Sequence, residues 1–368
     1  MPPTGTPIAT LAAELDRLAR FEPVTLPVIS LYVDLRADHH GKDHFLPLVK
    51  KDLHGRARTY PLRSQARESF DRDVERIMQY LDDDVPASAE GLAVFACSGA
   101  GEFFEPLLLD AAVPHRLSVS SEPHLYPLAR LLDQHPTHAV VLADSHAARL
   151  FVFAGGHTLR RETVAGEKIN RTSAGGWSQM RYQRHTEKLQ ADHARELVEA
   201  LDRVVRQENI DHIVLAGDEV NIPLVKGALS KELAGKVIDI LRLEVRTPEQ
   251  EVMAAAAEAL RRHDARTDAE VVERVLDDYR AGGLGVAGPE ETLEALGNGQ
   301  VDELLLAGDA LAADAGVTSD ELVGRARQTS ARIRIIEDAA LLADVGGVAA
   351  ALRYRLDPPP ARPSQERV

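Results

Sequence analysis

A chain of 368 residues exceeds a single typical domain, and with 44% hydrophobic residues it can build more than one packed core. A formal charge of -15 excludes a protein that coats nucleic acid over its whole surface, because phosphate binding depends on concentrated Lys and Arg. The single cysteine, Cys97, excludes an internal disulfide framework and any multi-cysteine zinc site.

The opening stretch, MPPTGTPIATLAAELDRLARF, reads as a short tail entering an amphipathic helix. It lacks a basic leader followed by an apolar block, and no apolar run approaches the roughly 20 residues of a membrane span, so the expectation is a cytoplasmic protein with no membrane partner. VISLYVDL, EGLAVFACSG and GEFFEPLLL have strand character, and the helical spacing of RSQARESFDRDVERIMQYLDDD completes an α/β domain over residues 1–134. Cys97, within the second of these strands, is expected to be a buried, inert thiol. His39, His40, Asp43 and His44 could ligate a metal, but nothing sets a ligand geometry and a polar loop is the better reading. We expect no metal and no cofactor.

Pro136 breaks the chain ahead of HAVVLADSHAARLFVFAGGHTLRRETV, an expected antiparallel meander with turns at Asp144-Ser145-His146 and Gly155-Gly156. Asp144 and His146 have catalytic side chains, but such residues in tight turns more often satisfy local backbone groups. TSAGGWSQMRYQRH, residues 172–185, then interrupts the regular pattern with little apolar content. It sits in Arg160 to Lys188, where seven basic and three acidic residues run against the overall charge, the one extended segment read this way. Beyond it, Leu189, Ala194, Leu197, Val198, Leu201 and Val205 give a long helix with one buried face, and IDHIVLAGD, VNIPLVKGALSKELAGK and VIDILRLEV read as strand, helix and strand. These elements make a middle domain over residues 135–265.

TPEQEVMAAAAEALRRHDARTDAEVVERVLDDYRAGG is helical, with a break expected near His263 to Thr267. A compact α/β/α domain follows over residues 266–357, with strands at Val301 to Ala307, RIRIIED and VAAALRYRL, and the Pro-rich residues 358–368 read as a disordered tail. The glycines of GGLGVAG follow a helix instead of a strand, so turn and cap roles replace a nucleotide fingerprint.

On local residues alone, Gly175-Gly176-Trp177-Ser178-Gln179 fits equally a plain surface loop and a nucleic-acid probe. In the second reading Arg181 and Arg184 bind phosphate, Trp177 stacks, and the glycines let backbone approach closely. Three anchors carry a wider resemblance: VVLADSHAARLFVF; the glycine loop with RYQRHTEKLQADHARELVEALDRVV; and GGLGVAGPEETLEALGNGQVDELLLAG. In this order the chain resembles the class 1 release factor and Pelota superfamily of archaea and eukaryotes, and more closely its bacterial relatives.

That resemblance implies a middle domain of RNase H-like topology whose projecting glycine loop reaches the peptidyl transferase centre from the ribosomal A site. The partners implied are the ribosome and peptidyl-tRNA, with delivery by an elongation-factor-like GTPase left open. Gly175, Gly176 and Gln179 match the family's Gly-Gly-Gln, the glycines giving access and Gln179 orienting water for ester hydrolysis. Lys168, Arg171, Arg181 and Arg184, with Trp177 and Ser178, would contact RNA. Trp177 and Ser178 depart from the motif, although Ser178-Gln179 is similar to the Gly-Ser-Gln ending of a related quality-control hydrolase. Residues 1–134 carry no Asn-Ile-Lys-Ser run, so stop-codon reading is not implied. Two functions remain: hydrolysis of peptidyl-tRNA on stalled ribosomes, or a Balon-like hibernation factor that plugs the same site.

Overall fold

The computed structural model describes residues 8–36, 45–86, 89–144, 147–155, 157–165, 177–309, 311 and 316–356. His39, His40, Asp43, His44, His146, Lys168, Arg171, Gly175 and Gly176 lie outside them, as does the tail. Three sheets organise the described chain. By contact it divides into two compact units, one holding residues 1–14, 22–124 and 134–266, the other 15–21, 125–133 and 267–368.

The first sheet of the first unit is antiparallel throughout, in the order β3-β2-β1-β4. Its strands are β1 (Val28–Asp34), β2 (Gly91–Cys97), β3 (Phe103–Leu109) and β4 (Arg116–Ser120). Helices α2 (Phe45–Ala57) and α3 (Gln65–Asp83) supply Val49, Leu53, Phe70 and Ile77 to a core with Ile29, Leu31, Val33, Leu92 and Val94. The odd-numbered β1 residues in that core follow from the two-residue period of a strand. Cys97 is fully buried, and burial pushes its thiol pKa up, which keeps it neutral and unreactive. Helix α2 has no sustained apolar stripe beyond Val49, Leu53 and Ala57, so the sequence pattern did not announce it.

The second sheet has the order β7-β6-β5-β8-β9. β5 (His138–Ala143), β6 (Ala147–Ala154) and β7 (His157–Ala165) form the expected meander, while β8 (His212–Gly217) and β9 (Val237–Leu241) join parallel to β5. Both faces are covered. Val141, Leu150 and Leu215 meet α5 (Trp177–Gln207) and α6 (Asn221–Ala228) on one side. Val140, Phe151 and Val214 meet Val252, Ala256 and Ala259 of α8 (Glu249–Arg280) on the other. A strand buried on both faces reads as an unbroken apolar run, which is why HAVVLA and HIVLAG lack alternation.

Three expectations are corrected. The helix expected over VNIPLVKGALSKELAGK is two, α6 and α7 (Lys231–Gly235), because Leu229 is extended and Ser230 caps the second helix through Leu233 N–H at 3.1 Å. The break expected near His263 does not occur: α8 is continuous, since nothing between Arg262 and Thr267 is Gly or Pro. The third concerns the glycine loop and is described with the site.

The second unit carries the sheet β10-β13-β11-β12, with β10 (Gly285–Ala287), β11 (Val301–Ala307), β12 (Arg332–Ile336) and β13 (Val348–Leu352). β11 and β12 are parallel, and β13 is antiparallel to both its neighbours. Gly288, at φ 98°, caps α9 (Pro289–Gly297) with Pro289 at its start, and Gly282, at φ 68°, turns the chain after α8, whereas Gly285 lies in β10. Residues 125–133 belong to this unit: the Tyr126 hydroxyl donates to Ala307 O and Gly308 O, both at 2.8 Å, and Arg130 pairs with Glu337 at 2.7 Å. Arg334 of β12 reaches the nearly buried Asp268 at 3.0 Å and Glu303 at 3.4 Å.

Candidate functional site at one edge of the middle sheet

Register places four strand ends on one edge. Ala143 of β5 pairs with Ala148 of β6, Ala147 of β6 with Ala165 of β7, and Ala143 in parallel with Gly217 of β8. The chain therefore leaves β7 at the edge where β5 and β8 end, and α5 returns from that side. α5 ends at the opposite edge: Asn209, at φ 50°, turns the chain, and Ile210 N–H closes back on Val205 O at 3.0 Å before β8 begins.

α5 is much longer than the sheet beneath it. Its 31 residues span about 46 Å, while the six of β8 span about 20 Å. The described buried residues of α5 run from Ala194 through Leu197, Leu201 and Val204 to Val205. The helix is therefore about 26 Å longer than the strand β8 that its second half covers. The packed end is fastened by charge: Glu162 of β7 meets Arg160 at 2.6 Å and Arg203 at 3.1 Å, and Arg160 reaches Gln207 at 2.8 Å.

Of the loop expected over residues 172–185, residues 172–176 lie outside the described residues and residues 177–185 are helix, which corrects that part. Trp177, Ser178, Gln179, Arg181 and Arg184 lie on the first turns of α5, because the chain from Trp177 to Gln207 has no Gly or Pro and is rich in Gln, Arg, Glu, Leu and Ala. Low apolar content over residues 177–185 therefore did not mean absence of helix. At 100° per residue, the backbone positions of Trp177, Arg181, Arg184 and Lys188 share one face of about 60°, and Gln179 falls on the opposite face.

Beside this edge lies a cleft of about 580 Å³, lined by Ala143, Asp144, Gly217, Asp218, Glu219 and residues 242–246. Glu219 pairs across it with Arg242 at 2.6 Å, while its two aspartates serve the backbone. Asp144 accepts from Ala147 N–H at 2.8 Å, fixing the meander turn. Asp218 accepts from Asn221 N–H at 2.7 Å and Val220 N–H at 3.1 Å, starting α6. Gly217 is required by closeness, since a Cβ there would meet Ala143 O at 2.2 Å. Arg149, on β6, donates to Val245 O and Thr247 O, both at 2.8 Å, and its guanidinium lies 4.6 Å from the centre of the Phe151 ring. Burial lowers the pKa of Arg149, whose task here is to bind the segment entering α8. Among the described residues, no group of three or more His, Cys, Asp or Glu could hold a metal ion.

Two basic residues of the Arg160 to Lys188 segment are committed internally, Arg160 to Glu162 and Arg161 to Glu249 at 3.4 Å. Nor is that segment the only one running against the overall charge. From Lys50 to Arg67 six basic residues stand against the single acid Asp52. The signal was visible in the sequence, in a shorter window centred on a helix that the apolar pattern missed.

Residues 123–261 match the family model described as bacterial archaeo-eukaryotic release factor family 10. No curated protein matches the chain. Similar solved structures include the archaeal translation termination factor aRF1, at 16% identity over 95% of this chain and 99% of that one with a TM-score of 0.29. Archaeoglobus fulgidus Pelota is 15% identical over 73% and 83% of the two chains, with a TM-score of 0.33. S. cerevisiae Dom34, described as a translation termination-like factor in RNA quality control pathways that interacts with Hbs1, is 11% identical over 77% and 78%, with a TM-score of 0.43. Scores this low add no detail to the geometry above. Over residues 123–261 the family match bears out the relation to bacterial archaeo-eukaryotic release factors that the first two sequence anchors suggested.

Proposed function

We propose, from the match of residues 123–261 to bacterial archaeo-eukaryotic release factor family 10, that this chain is a ribosome-associated release-factor-like protein that hydrolyses peptidyl-tRNA on stalled ribosomes without reading a stop codon. The observation that carries the proposal is α5, a helix of about 46 Å whose described buried residues lie in its second half, from Ala194 to Val205, and whose first residue Trp177 directly follows Gly175-Gly176 in the sequence. Such a lever can carry a glycine-flanked tip into a narrow RNA cavity while its domain stays outside. Trp177, Arg181 and Arg184, on one helix face, suit a stacked base and successive phosphates, with Lys168, Arg171 and Ser178 adding to the RNA contacts. Gln179 would orient water through position and polarity, since an amide is no strong base. The strand order β7-β6-β5-β8-β9, with β5, β8 and β9 parallel and β6 reversed, supports an RNase H-like reading of the middle domain.

A second reading, a factor that occupies the A site and plugs the peptidyl transferase centre, is favoured by one observation. Gln179 sits in the first turn of a helix on the face opposite Trp177, Arg181 and Arg184, with two residues separating it from the glycines. An elongation-factor-like GTPase remains a candidate for delivery in either reading. Purified ribosomes carrying labelled peptidyl-tRNA separate the two. Co-sedimentation with release of peptide supports the hydrolase, binding without release supports the plug, and no binding even at low salt removes both.

A further inference from the structure

The strongest basic concentration in this acidic chain lies on the first sheet of the first unit. From Lys50 to Arg67 six basic residues and one acidic residue occupy the end of α2, the turn after it and the start of α3. Asp52, the one acid, is held by His115 of the β4 side at 3.0 Å, and Arg67 is held by Asp71 at 2.7 Å. Lys50, Lys51, Arg58 and Arg63 are exposed and make no ion pair among the described residues.

Geometry gathers these cations. α2 turns Val49, Leu53 and Ala57 into the core and leaves Lys50 and Lys51 exposed, with exposed Arg58 just past its last turn. The turn that follows is tight. Thr59 N–H bonds Arg56 O at 3.0 Å, Ser64 N–H bonds Pro61 O at 3.2 Å, and Arg67 crosses back to Ala57 O at 2.5 Å, so Arg58 and Arg63 emerge from one short connection. Arg63 sits at φ 62°, a left-handed conformation uncommon for a residue with a side chain. Beside it Leu62 is 84% exposed, the highest among the exposed large apolar residues described. Arg116, exposed on the edge strand β4, follows the histidine that holds Asp52 and extends the patch along the sheet edge.

From this arrangement we infer a second RNA-binding surface, formed by Lys50, Lys51, Arg58, Arg63 and Arg116, that takes the phosphate backbone of RNA. Unpaired cations spaced along a helix and a turn suit the regular charges of a nucleic-acid strand, and nothing in the patch offers a pocket for a base. The surface belongs to a different sheet from the glycine segment, and its action does not depend on peptide release.

The test uses the full chain and a labelled 20-nucleotide single-stranded RNA, with affinity followed by anisotropy between 50 and 200 mM salt. The quadruple variant Lys50→Gln, Lys51→Gln, Arg58→Gln, Arg63→Asn removes up to four phosphate contacts. The slope of log K against log salt should fall by about 3, at roughly 0.7 per contact, and binding at 100 mM should weaken at least about ten-fold. Should that variant fail to fold by circular dichroism, Lys50→Gln with Lys51→Gln should give about half the slope change. Arg181→Gln with Arg184→Gln should leave the contribution of α2 in place, which separates this surface from the glycine segment. Affinity within two-fold of wild type at unchanged slope overturns the inference. So does equal, equally lost binding of a labelled 20-residue polyglutamate, which would make the patch a dock for an acidic polypeptide.

Discussion

If α5 is a lever packed over its second half only, truncating the same side chain in its two halves must have unequal consequences. Leu201 is fully buried among Val141, Leu150, Leu197 and Leu215, and Leu201→Ala removes its transfer free energy and leaves a cavity that the two-sided sheet cannot collapse. Such substitutions cost about 3 to 5 kcal/mol. Leu189, twelve residues earlier, is half-buried and outside that cluster, so Leu189→Ala should cost about 1 kcal/mol or less. Urea denaturation of the two variants gives the comparison as midpoint shifts at constant slope. Hydrogen exchange gives it a second way, because amides of residues 194–207 should open only with the core, while residues 177–193 should exchange through local fraying. Equal losses of stability for the two variants, or equal protection along the helix, would refute the division.

Arg149→Ala deletes two charge-assisted hydrogen bonds and a cation-ring contact, and should destabilise the protein by about 3 kcal/mol in the same urea assay. Arg149→Lys should recover only part of this, since an ammonium has no planar fork and stacks less well; full recovery would mean that charge alone matters. His138 tests pH dependence. Burial, with a smaller contribution from the nearby His135 charge, lowers its pKa against the raising effect of its bond to Pro136 O, so the fold favours the neutral ring. The stability it contributes is present above the ordinary histidine pKa of about 6.5 and lost as pH falls through the lowered folded value. Between pH 7.5 and 5.5, wild type should therefore lose more melting temperature than His138→Gln. Parallel losses would remove His138 as a source of acid sensitivity.

The parts of this fold that the sequence disclosed are those whose burial leaves a one-dimensional trace. β5, β6 and β8 announced themselves through apolar runs, because strands buried on both faces read as nearly unbroken apolar sequence, and β11 through Leu304 to Ala307 beyond its Asp302 and Glu303. The first half of α5 escaped because helix formation there follows from the absence of Gly and Pro between Trp177 and Gln207 and from residue propensity, whereas an apolar stripe reports only a packing partner. α2 escaped with Pro47 and Gly55 inside it and only Val49, Leu53 and Ala57 buried. In the site, residue types were legible and relative placement was not: Gly175 to Gln179 stood out as a string, but the opposed faces of Gln179 and Arg181 follow only once α5 begins at Trp177. Asp144 satisfies a local backbone group as its turn position suggested, whereas the long-range partners of Arg149, Val245 O and Thr247 O, needed the folded sheet that brings those backbone atoms to it.

The central claim is that the head of α5 acts on peptidyl-tRNA through Gln179. Its most direct test is single-turnover release of labelled peptide from ribosomes carrying peptidyl-tRNA, measured for wild type and Gln179→Ala beside ribosome binding of each. The account predicts binding within about two-fold and a rate of release lower by at least about a hundred-fold, roughly 2.7 kcal/mol of barrier. Release at the wild-type rate by Gln179→Ala, or none by wild type on ribosomes it demonstrably binds, would contradict it.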